Sequence, residues 1–388
     1  MMKKFYILFF VIFLLSCTST KHNDEIKEIE VDVNQADRVA LSNYFNNYQI
    51  VPLKSDKVLL SFPVAKIQPV NDEIYILHGS SPAKISVFNK SGTLVRNIDY
   101  FGKGPGEFMY IIDFDVDDKK RIHLCCPEKR AILLYDKHGK FIEKRESDIG
   151  AYFKYFNQRY HFLTGIFSTE LINKGQYEMF HCLDTTMKKK YSYRKFPSKY
   201  ANINDARALN FFWQYGQKRG CVLPYGDTLY YISDKSLTPA YYINFGKKAC
   251  AYNEVLDIWT RPTGAVKQML QNGKAVHPNK IFENDDILFF GYEYGKKNHY
   301  QYVFYDKKRD EVQVVSSFKD DLLGYDDINI VAFTENEFVC KIEPYQLKQY
   351  VKKKKNNPEF IKKHSDLINL AHKVKNTDNP ILVFYKLK

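Results

Sequence analysis

Few residues in this sequence invite a chemical reading. The stretch "FGKGPGEF", residues 101–108, sets Gly102, Gly104, Pro105 and Gly106 ahead of Glu107. A glycine-rich loop can cradle phosphate through backbone N–H groups, but the phosphate patterns need GxxxxGK[ST], or a GxGxxG that opens a helix. Here Pro105 has no N–H, no Lys-Ser/Thr pair follows, and Glu107 would repel phosphate. The next residues, "YIIDFDVDDKKRIHL", read as strand and turn. The stretch is therefore expected to be a sharp structural turn, because glycine accepts backbone angles that other residues avoid. Glu107 is read as pairing with a neighbour or capping turn amides rather than as a catalytic acid.

Asp113, Asp115, Asp117 and Asp118 form an acidic cluster. Calcium needs converging oxygen ligands, whereas alternation places the first three on one strand face. Without an EF-like Gly and Glu spacing, turn and strand-edge roles are expected, and Asp320, Asp321, Asp326 and Asp327 have the same ambiguity. The ten histidines are scattered, and no GxSxG, CxxC or HxxxH occurs. No catalytic residue and no metal ligand is assigned. No cofactor is expected, calcium being an alternative that no motif supports. One aromatic group stands out: "FFWQYG", 211–216, gathers Phe211, Phe212, Trp213 and Tyr215. Alternation divides them between two strand faces, so these four are candidate ligand-binding residues, suited to stacking on a sugar or a partner. The plainer reading is that they fill space between sheets.

The N-terminus suggests where such a protein would work. Lys3 and Lys4 precede an apolar run, Phe5–Leu15, of eleven residues. At about 1.5 Å per residue this is too short for a bilayer core of about 30 Å, and it reads as a signal-peptide h-region. "LLSC", ending at Cys17, resembles the lipobox of bacterial lipoproteins, in which the cysteine is lipidated and becomes the new N-terminus. Several acyl chains make a stable anchor. The expected organisation is a signal peptide over 1–16, a lipidated N-terminus and polar linker over 17–40, and one folded domain over 41–388. A cell-envelope, outer-membrane lipoprotein is expected, facing the periplasm or the outside. Asp24-Glu25 are an acidic pair that could direct surface export.

Aromatic residues make up 16% of the chain, with 30 Tyr and 29 Phe. That favours strands, where aromatic side chains fit a pleated, half-buried surface. The net charge is +13, much of it in clusters such as Lys188–Lys190 and Lys352–Lys355. In an exported protein these clusters read as solvated faces, and no nucleic-acid partner is expected. Cys125, Cys126, Cys182, Cys221, Cys250 and Cys340 remain once Cys17 is given to lipid. Export permits disulfides, but six cysteines allow fifteen pairings, and a domain of this size is expected to keep most of them as buried thiols.

A repeat organises the chain. "ISVFNKSGTLVR" (85–96) and "ILLYDKHGKFIE" (132–143) match place for place, 47 positions apart. Each is a strand, an Asx-x-x-Gly hairpin turn and a second strand. A weaker copy is "YQYVFYDKKRDEVQVVSSF" (300–318). Strand-like stretches precede each copy. A period of 40–50 residues built from short strands marks propeller blades. The expected fold is all-β, a six-bladed β-propeller with short helical insertions, at 344–375 around Pro358 and near 258–273. The last strand, 379–387, is expected to close the ring by joining the first blade.

The segment "GTLVRNIDYFGKGPGEFMYIIDFDVD" resembles a family of six-bladed β-propeller lipoproteins of Bacteroides-type bacteria. Their repeat is NHL-like and their mark is GxGPGE(F/Y), matched here by Gly102, Gly104, Pro105, Gly106, Glu107 and Phe108. "IVPLKSD" (50–56), "GDTLYYISDKSLTPAYYINFGK" (226–247) and "NPILVFYKL" are similar to the same family, although Lys54 stands where it usually has an acid. The resemblance spans roughly 40–388. It implies that the glycine-rich stretch joins one blade to the next. Two functions are then open. One is a non-catalytic binding or scaffold module, held to the membrane by its lipid, for a glycan, a peptide or an outer-membrane protein. The other is a propeller enzyme, a metal-assisted lactonase or hydrolase, or a lyase. Fold alone does not choose between them.

Overall fold

A computed structural model describes residues 26–163, 178–195, 211–223, 226–250, 265–295 and 299–388. The signal peptide expected over 1–16 and Cys17 lie outside the described residues. Three strands come first: β1 (Lys27–Glu30), β2 (Asp37–Ala40) and β3 (Phe45–Pro52). Blade 1 then follows as β4 (Val64–Val70), β5 (Glu73–His78), β6 (Lys84–Asn89) and β7 (Leu94–Ile98). Blade 2 is β8 (Asp113–Val116), β9 (Ile122–Cys126), β10 (Ala131–Tyr135) and β11 (Phe141–Glu146). Blade 3 is β12 (Tyr152–Phe156), β13 (Arg159–Leu163), β14 (Glu178–Asp184) and β15 (Lys189–Lys195). Blade 4 is β16 (Phe212–Tyr215), β17 (Lys218–Val222), β18 (Thr228–Ile232) and β19 (Leu237–Asn244). Blade 5 is β20 (Val276–Glu283), β21 (Ile287–Glu293), β22 (Tyr300–Asp306) and β23 (Glu311–Lys319). Blade 6 is β24 (Ile330–Phe333), β25 (Glu337–Ile342) and β26 (Ile381–Leu387), completed by β3. The fold is the expected all-β six-bladed propeller.

The hairpins anticipated from the repeat are present. β6–β7 and β10–β11 turn through Asn89–Gly92 and Asp136–Gly139, with Gly92 and Gly139 at φ 75° and 84°. The Asn89 and Asp136 side chains each accept backbone N–H groups from the turn. Strand periodicity gives way to helix at α1 (Ala265–Gln271), α2 (Pro344–Lys354), α3 (Pro358–Lys363) and α4 (Ser365–Lys373). Asn357 caps α3 by accepting the Phe360 N–H. Leu347, Phe360, Leu367 and Ala371 are buried against blade 6.

The structure revises two expectations. The linker expected through residue 40 is already part of the fold from Lys27. β1 pairs in parallel with β19, and β2 with β23, each as a fifth strand on the outer edge of its blade. Ile29, Val31, Val33 and Val39 alternate with polar residues and are buried. Each strand is only four residues long and pairs with a segment more than 200 residues away, so no local pattern marks it. The second revision concerns closure. β26 does not join the first blade. It lies inside the last one, between β25 and β3, in antiparallel register with β3 from Ile381↔Pro52 to Leu387↔Phe45. The N-terminal segment thus supplies the outermost strand of the final blade.

Because each blade meanders outward through four antiparallel strands, two kinds of connection share one face of the ring. These are the connections between blades and those from second to third strands. This connection face holds α1–α4 and the loops 53–63, 79–83, 99–112 and 127–130. A chain beginning at Leu41 should keep the ring but forfeit the burial of four aliphatic side chains, each worth about 2 kcal/mol. Its thermal midpoint should fall by several degrees relative to a chain beginning at Ile26. Equal midpoints would show that β1 and β2 add nothing. A chain beginning at Lys54 lacks β3, and size-exclusion chromatography should find it aggregated.

Candidate functional site

The inner strand of every blade has one edge that faces the axis rather than another strand. Such an edge leaves backbone N–H groups to be satisfied. At β12 this is done by β8. Asp113 Oδ2 accepts the Phe153 N–H at 2.9 Å, and Asp115 Oδ2 accepts the Tyr155 N–H at 2.8 Å. Cations from both neighbouring blades hold the other oxygens. Lys66 Nζ donates to Asp113 Oδ1 at 2.8 Å and to the Phe114 carbonyl at 2.5 Å. Asp115 Oδ1 accepts from Lys154 at 2.6 Å and from Gln68 at 2.9 Å. The result is an axial ladder, Lys66–Asp113 and Gln68–Asp115–Lys154, across blades 1, 2 and 3. Burial pushes the Asp113 carboxyl above the usual range despite Lys66. Asp115 is fully buried too, but Lys154 and then Lys66 more than offset that and hold it below the range. All four carboxylate oxygens are engaged.

Asp117 directly follows the same strand and builds the turn, accepting the Lys119 and Arg121 N–H groups and binding the Arg121 guanidinium. Asp320 is buried and accepts N–H groups from Leu322, Leu323 and Tyr325, together with the Tyr385 hydroxyl at 2.6 Å. Among the described residues no three His, Cys, Asp or Glu side chains converge on a point that could hold a metal ion. Cys125, Cys126, Cys182, Cys221 and Cys340 are buried and form no disulfide.

The glycine-rich stretch runs between β7 and β8, from blade 1 to blade 2. Glu107 folds back over it: Oε2 accepts the Gly104 N–H at 2.7 Å, and a Cβ at Gly102 would lie 2.1 Å from that oxygen. Blade 2 grips the loop from below. Lys129 donates to the Lys103 and Gly104 carbonyls, and Tyr135 donates to the Gly106 carbonyl at 2.5 Å. Gly106 has φ 73°, and a Cβ there would strike the Phe141 ring. Phe108 is buried beneath the loop, while Phe101 stays exposed.

The four aromatics singled out from the sequence divide differently. Phe211 and Trp213 are buried, so neither is free to stack on a ligand. The Trp213 indole donates to Glu283 at 2.9 Å. That buried carboxylate also accepts from Tyr231, Tyr241 and Lys307, joining blade 4 to blade 5. Phe212 and Tyr215 are half-buried. Tyr215 donates to Asp285, and Lys307 lies 4.5 Å from its ring centre. In a propeller both faces of an inner strand pack on neighbours, so alternation sorts side chains by face without saying which are exposed.

The exposed aromatics lie elsewhere. Of eleven large apolar residues exposed among the described residues, Leu59, Phe62, Tyr100, Phe101 and Tyr110 fall on the two successive connections into blades 1 and 2. Both connections are firmly held. Tyr100 stacks on Tyr135 at 5.9 Å, and Glu128 accepts the Met109 and Tyr110 N–H groups. Next to Phe62, the Ser61 N–H donates to His78 Nδ1 at 3.0 Å. The His78 proton therefore sits on Nε2 and is donated to Ser86 Oγ, which donates to Asn97. Neighbouring loops are tied together as well, by Gly79 N–H to Ser61 O and Ala83 N–H to Met109 O. This aromatic face was legible only as aromatics bracketing a glycine-rich turn, a weaker signal than the run at 211–216.

The molecule is thus a six-bladed propeller with a self-satisfied axial charge ladder and an aromatic connection face. Residues 25–386 match the profile of the family described as a domain of unknown function, DUF4934, and the chain belongs to that family. It is similar to a solved Bacteroides fragilis protein classed as a candidate for export, with a TM-score of 0.73 and 17% identity, over 94% of this chain and 100% of that one. It is also similar to a solved member of the DUF4221 family from Bacteroides vulgatus, with a TM-score of 0.51 and 12% identity, over 89% of this chain and 97% of that one. At these identities the likeness is one of fold. No curated protein matches the chain.

Two outcomes test this geometry. Asp115→Asn should cost about 3 kcal/mol at pH 7, the scale for breaking a buried ion pair, read by denaturant unfolding. A loss below about 0.5 kcal/mol, the range of ordinary surface changes, would show the ladder to be incidental. Burial, helped by Lys84, pushes the His78 imidazole down to about 4. Its folded value lies below the unfolded value of about 6.5, so the folded state binds fewer protons. The stability His78 contributes is complete above about pH 6.5 and is lost as pH falls towards 4. Wild type should lose more stability across that window than His78→Gln, and parallel profiles would remove His78 from the account.

Proposed function

We propose that this protein is a lipid-anchored cell-envelope propeller that works as a binding module. The observation that carries the reading is the concentration of exposed aromatic and aliphatic side chains on two adjacent connections, one held by the buried His78 and the other by the buried Tyr135 and the surface Glu128. A rigid aromatic surface loses little freedom on binding. Its ring faces suit the apolar face of a sugar or the apolar side chains of an envelope peptide or membrane protein. The full engagement of the Asp113 and Asp115 oxygens supports an architectural role for the axial ladder.

Lipidation at Cys17 would set the geometry. Ten residues separate Cys17 from Lys27, a reach of at most about 35 Å, and the chain enters the fold on the outer edge of blade 4. In a ring of six, blade 4 lies opposite blade 1, so the tether and the aromatic face would sit on opposite sides of the axis. This fits an outer-membrane lipoprotein with an NHL-like repeat, facing the periplasm or the cell surface.

Cells fed an alkyne fatty acid should label the wild-type chain and not Cys17→Ser. An unlabelled wild type would overturn the anchor. A variant with Phe62→Ala, Phe101→Ala and Tyr110→Ala should melt close to wild type, since all three side chains are exposed. On an oligosaccharide array and in crosslinking to purified outer-membrane proteins, it should bind at least about tenfold more weakly, the scale of a 1.4 kcal/mol loss. Signal on the array alone would name a glycan, and signal in crosslinking alone a protein. Equal binding by variant and wild type would sink the aromatic-face reading.

A further inference from the structure

β20, the inner strand of blade 5, is the most irregular inner strand of the ring. Its register with β21 slips twice, between Val276 and Asn279 and again between Asn279 and Phe282. Bulges of this kind re-aim side chains and are over-represented next to active sites. Lys280 lies within the second slip at φ 50°, a left-handed conformation that residues with a Cβ adopt seldom and at some cost. Its amine overlies the Tyr300 ring, 4.4 Å from the ring centre. Among the described residues no carboxylate oxygen lies within the 4.0 Å of an ion pair with this amine. Every other charged lysine of the axial strands has such a partner: Lys66 pairs with Asp113, and Lys154 with Asp115.

The nearby acid is also incompletely used. Glu293, at the end of β21 on the connection face, is only 7% exposed, and its Oε2 has no hydrogen-bond partner. Its Oε1 accepts from the Tyr300 hydroxyl at 3.4 Å. Tyr300 therefore links a half-buried amine on one side to a buried carboxylate on the other. Burial pushes the Lys280 amine down to about 8, with Cys340 and Glu293 pulling weakly the other way. A sizeable fraction is then neutral near physiological pH, with its lone pair available, as in lysines that form imines.

We infer that Lys280 is a carbonyl-reactive amine, a site for an aldehyde or ketone, with Glu293 as the adjacent proton acceptor and donor. The neutral Nζ attacks the carbonyl carbon, so a C–N bond forms as the C=O π bond breaks. One proton passes from nitrogen to oxygen by way of Glu293, giving a carbinolamine. Glu293 protonates that hydroxyl, the C–O bond breaks as water leaves and the C=N bond forms, and the protonated imine returns its N–H proton to Glu293, leaving the imine. The sequence consumes no oxidant or reductant and releases one water.

The test uses the full chain in detergent with pyridoxal 5′-phosphate as the probe. Imines are trapped with borohydride at a series of pH values, and the labelled peptides are mapped by mass spectrometry. The peptide containing Lys280 should label about tenfold faster at pH 7.5 than the median lysine, as its depressed basicity allows. Its rate should level off above about pH 8, while surface lysines keep accelerating. Labelling at or below the median rate, with no levelling, overturns the proposal. Glu293→Gln should slow Lys280 alone, and an unchanged rate removes Glu293 from it. Lys280→Arg should erase that peptide's label without altering the others. Should that variant fail to fold, the wild-type rate and pH profile decide the matter alone.

Discussion

Closing the ring is the constraint on which the rest of this structure depends. A four-stranded blade has two apolar faces, and each is covered only by the next blade round. The seam is β26 against β3, running from Ile381↔Pro52 to Leu387↔Phe45. Phe45 and Tyr385 pack together across it in the blade 5–6 core, and Val51 and Leu382 lie in the cluster shared with blade 1. The seam joins the two ends of the chain, so its contacts form only after a very long loop has closed, the kind of contact that makes folding slow. β1 and β2 extend the same N-terminal segment over blades 4 and 5. That segment therefore spans half the ring as an outer band, and it fastens the seam through pairing on two further blades.

Closure also creates the problem that the axial ladder solves. Six inner strands turn an edge towards the axis, and their N–H groups need acceptors. Two aspartates on one strand face serve β12, one residue pair at a time. Burying two carboxylates side by side would be prohibitive without cations, and Lys66 and Lys154 come from the strands on either side. The unequal protonation behaviour of Asp113 and Asp115 follows from that supply: one faces a single lysine, the other is drawn down by two. At an active site such a split would suggest an acid and a base. Here the oxygens already have partners, and the split records how the cations are shared.

The sequence disclosed what is local. The hairpins at 85–96 and 132–143 were readable because an Asx and a Gly at fixed offsets fix a turn, and the turn fixes the strands beside it. The inter-blade place of the 101–108 stretch followed from what flanks it. Asp113 and Asp115 could be set on one strand face, but their partners lie some 40 residues away on another blade, beyond any pattern in the cluster itself. β1 and β2 escaped notice because four residues of alternation are too few to stand out from a polar segment. Phe211 and Trp213 follow the plainer of their two readings and fill space between sheets, because a propeller hides both faces of its inner strands. Lys280 gave no signal, since nothing in "HPNKIF" marks two bulges.

The aromatic residues then fall into two populations with different work. Trp213, Tyr231 and Tyr241 surround Glu283 and hold blade 4 to blade 5, with their polar ends consumed there. Tyr100, Phe101, Tyr110 and Phe62 sit on loops whose backbones are hydrogen-bonded to His78, Glu128 and to one another. A loop kept only to cross between blades would gain nothing from leaving such side chains in water, where each forgoes the stabilisation of burial. The protein bears that cost twice, on adjacent connections, and then immobilises the loops that bear it. The binding role proposed above rests on this economy: apolar surface already held rigid in solvent would lose little further freedom to a partner.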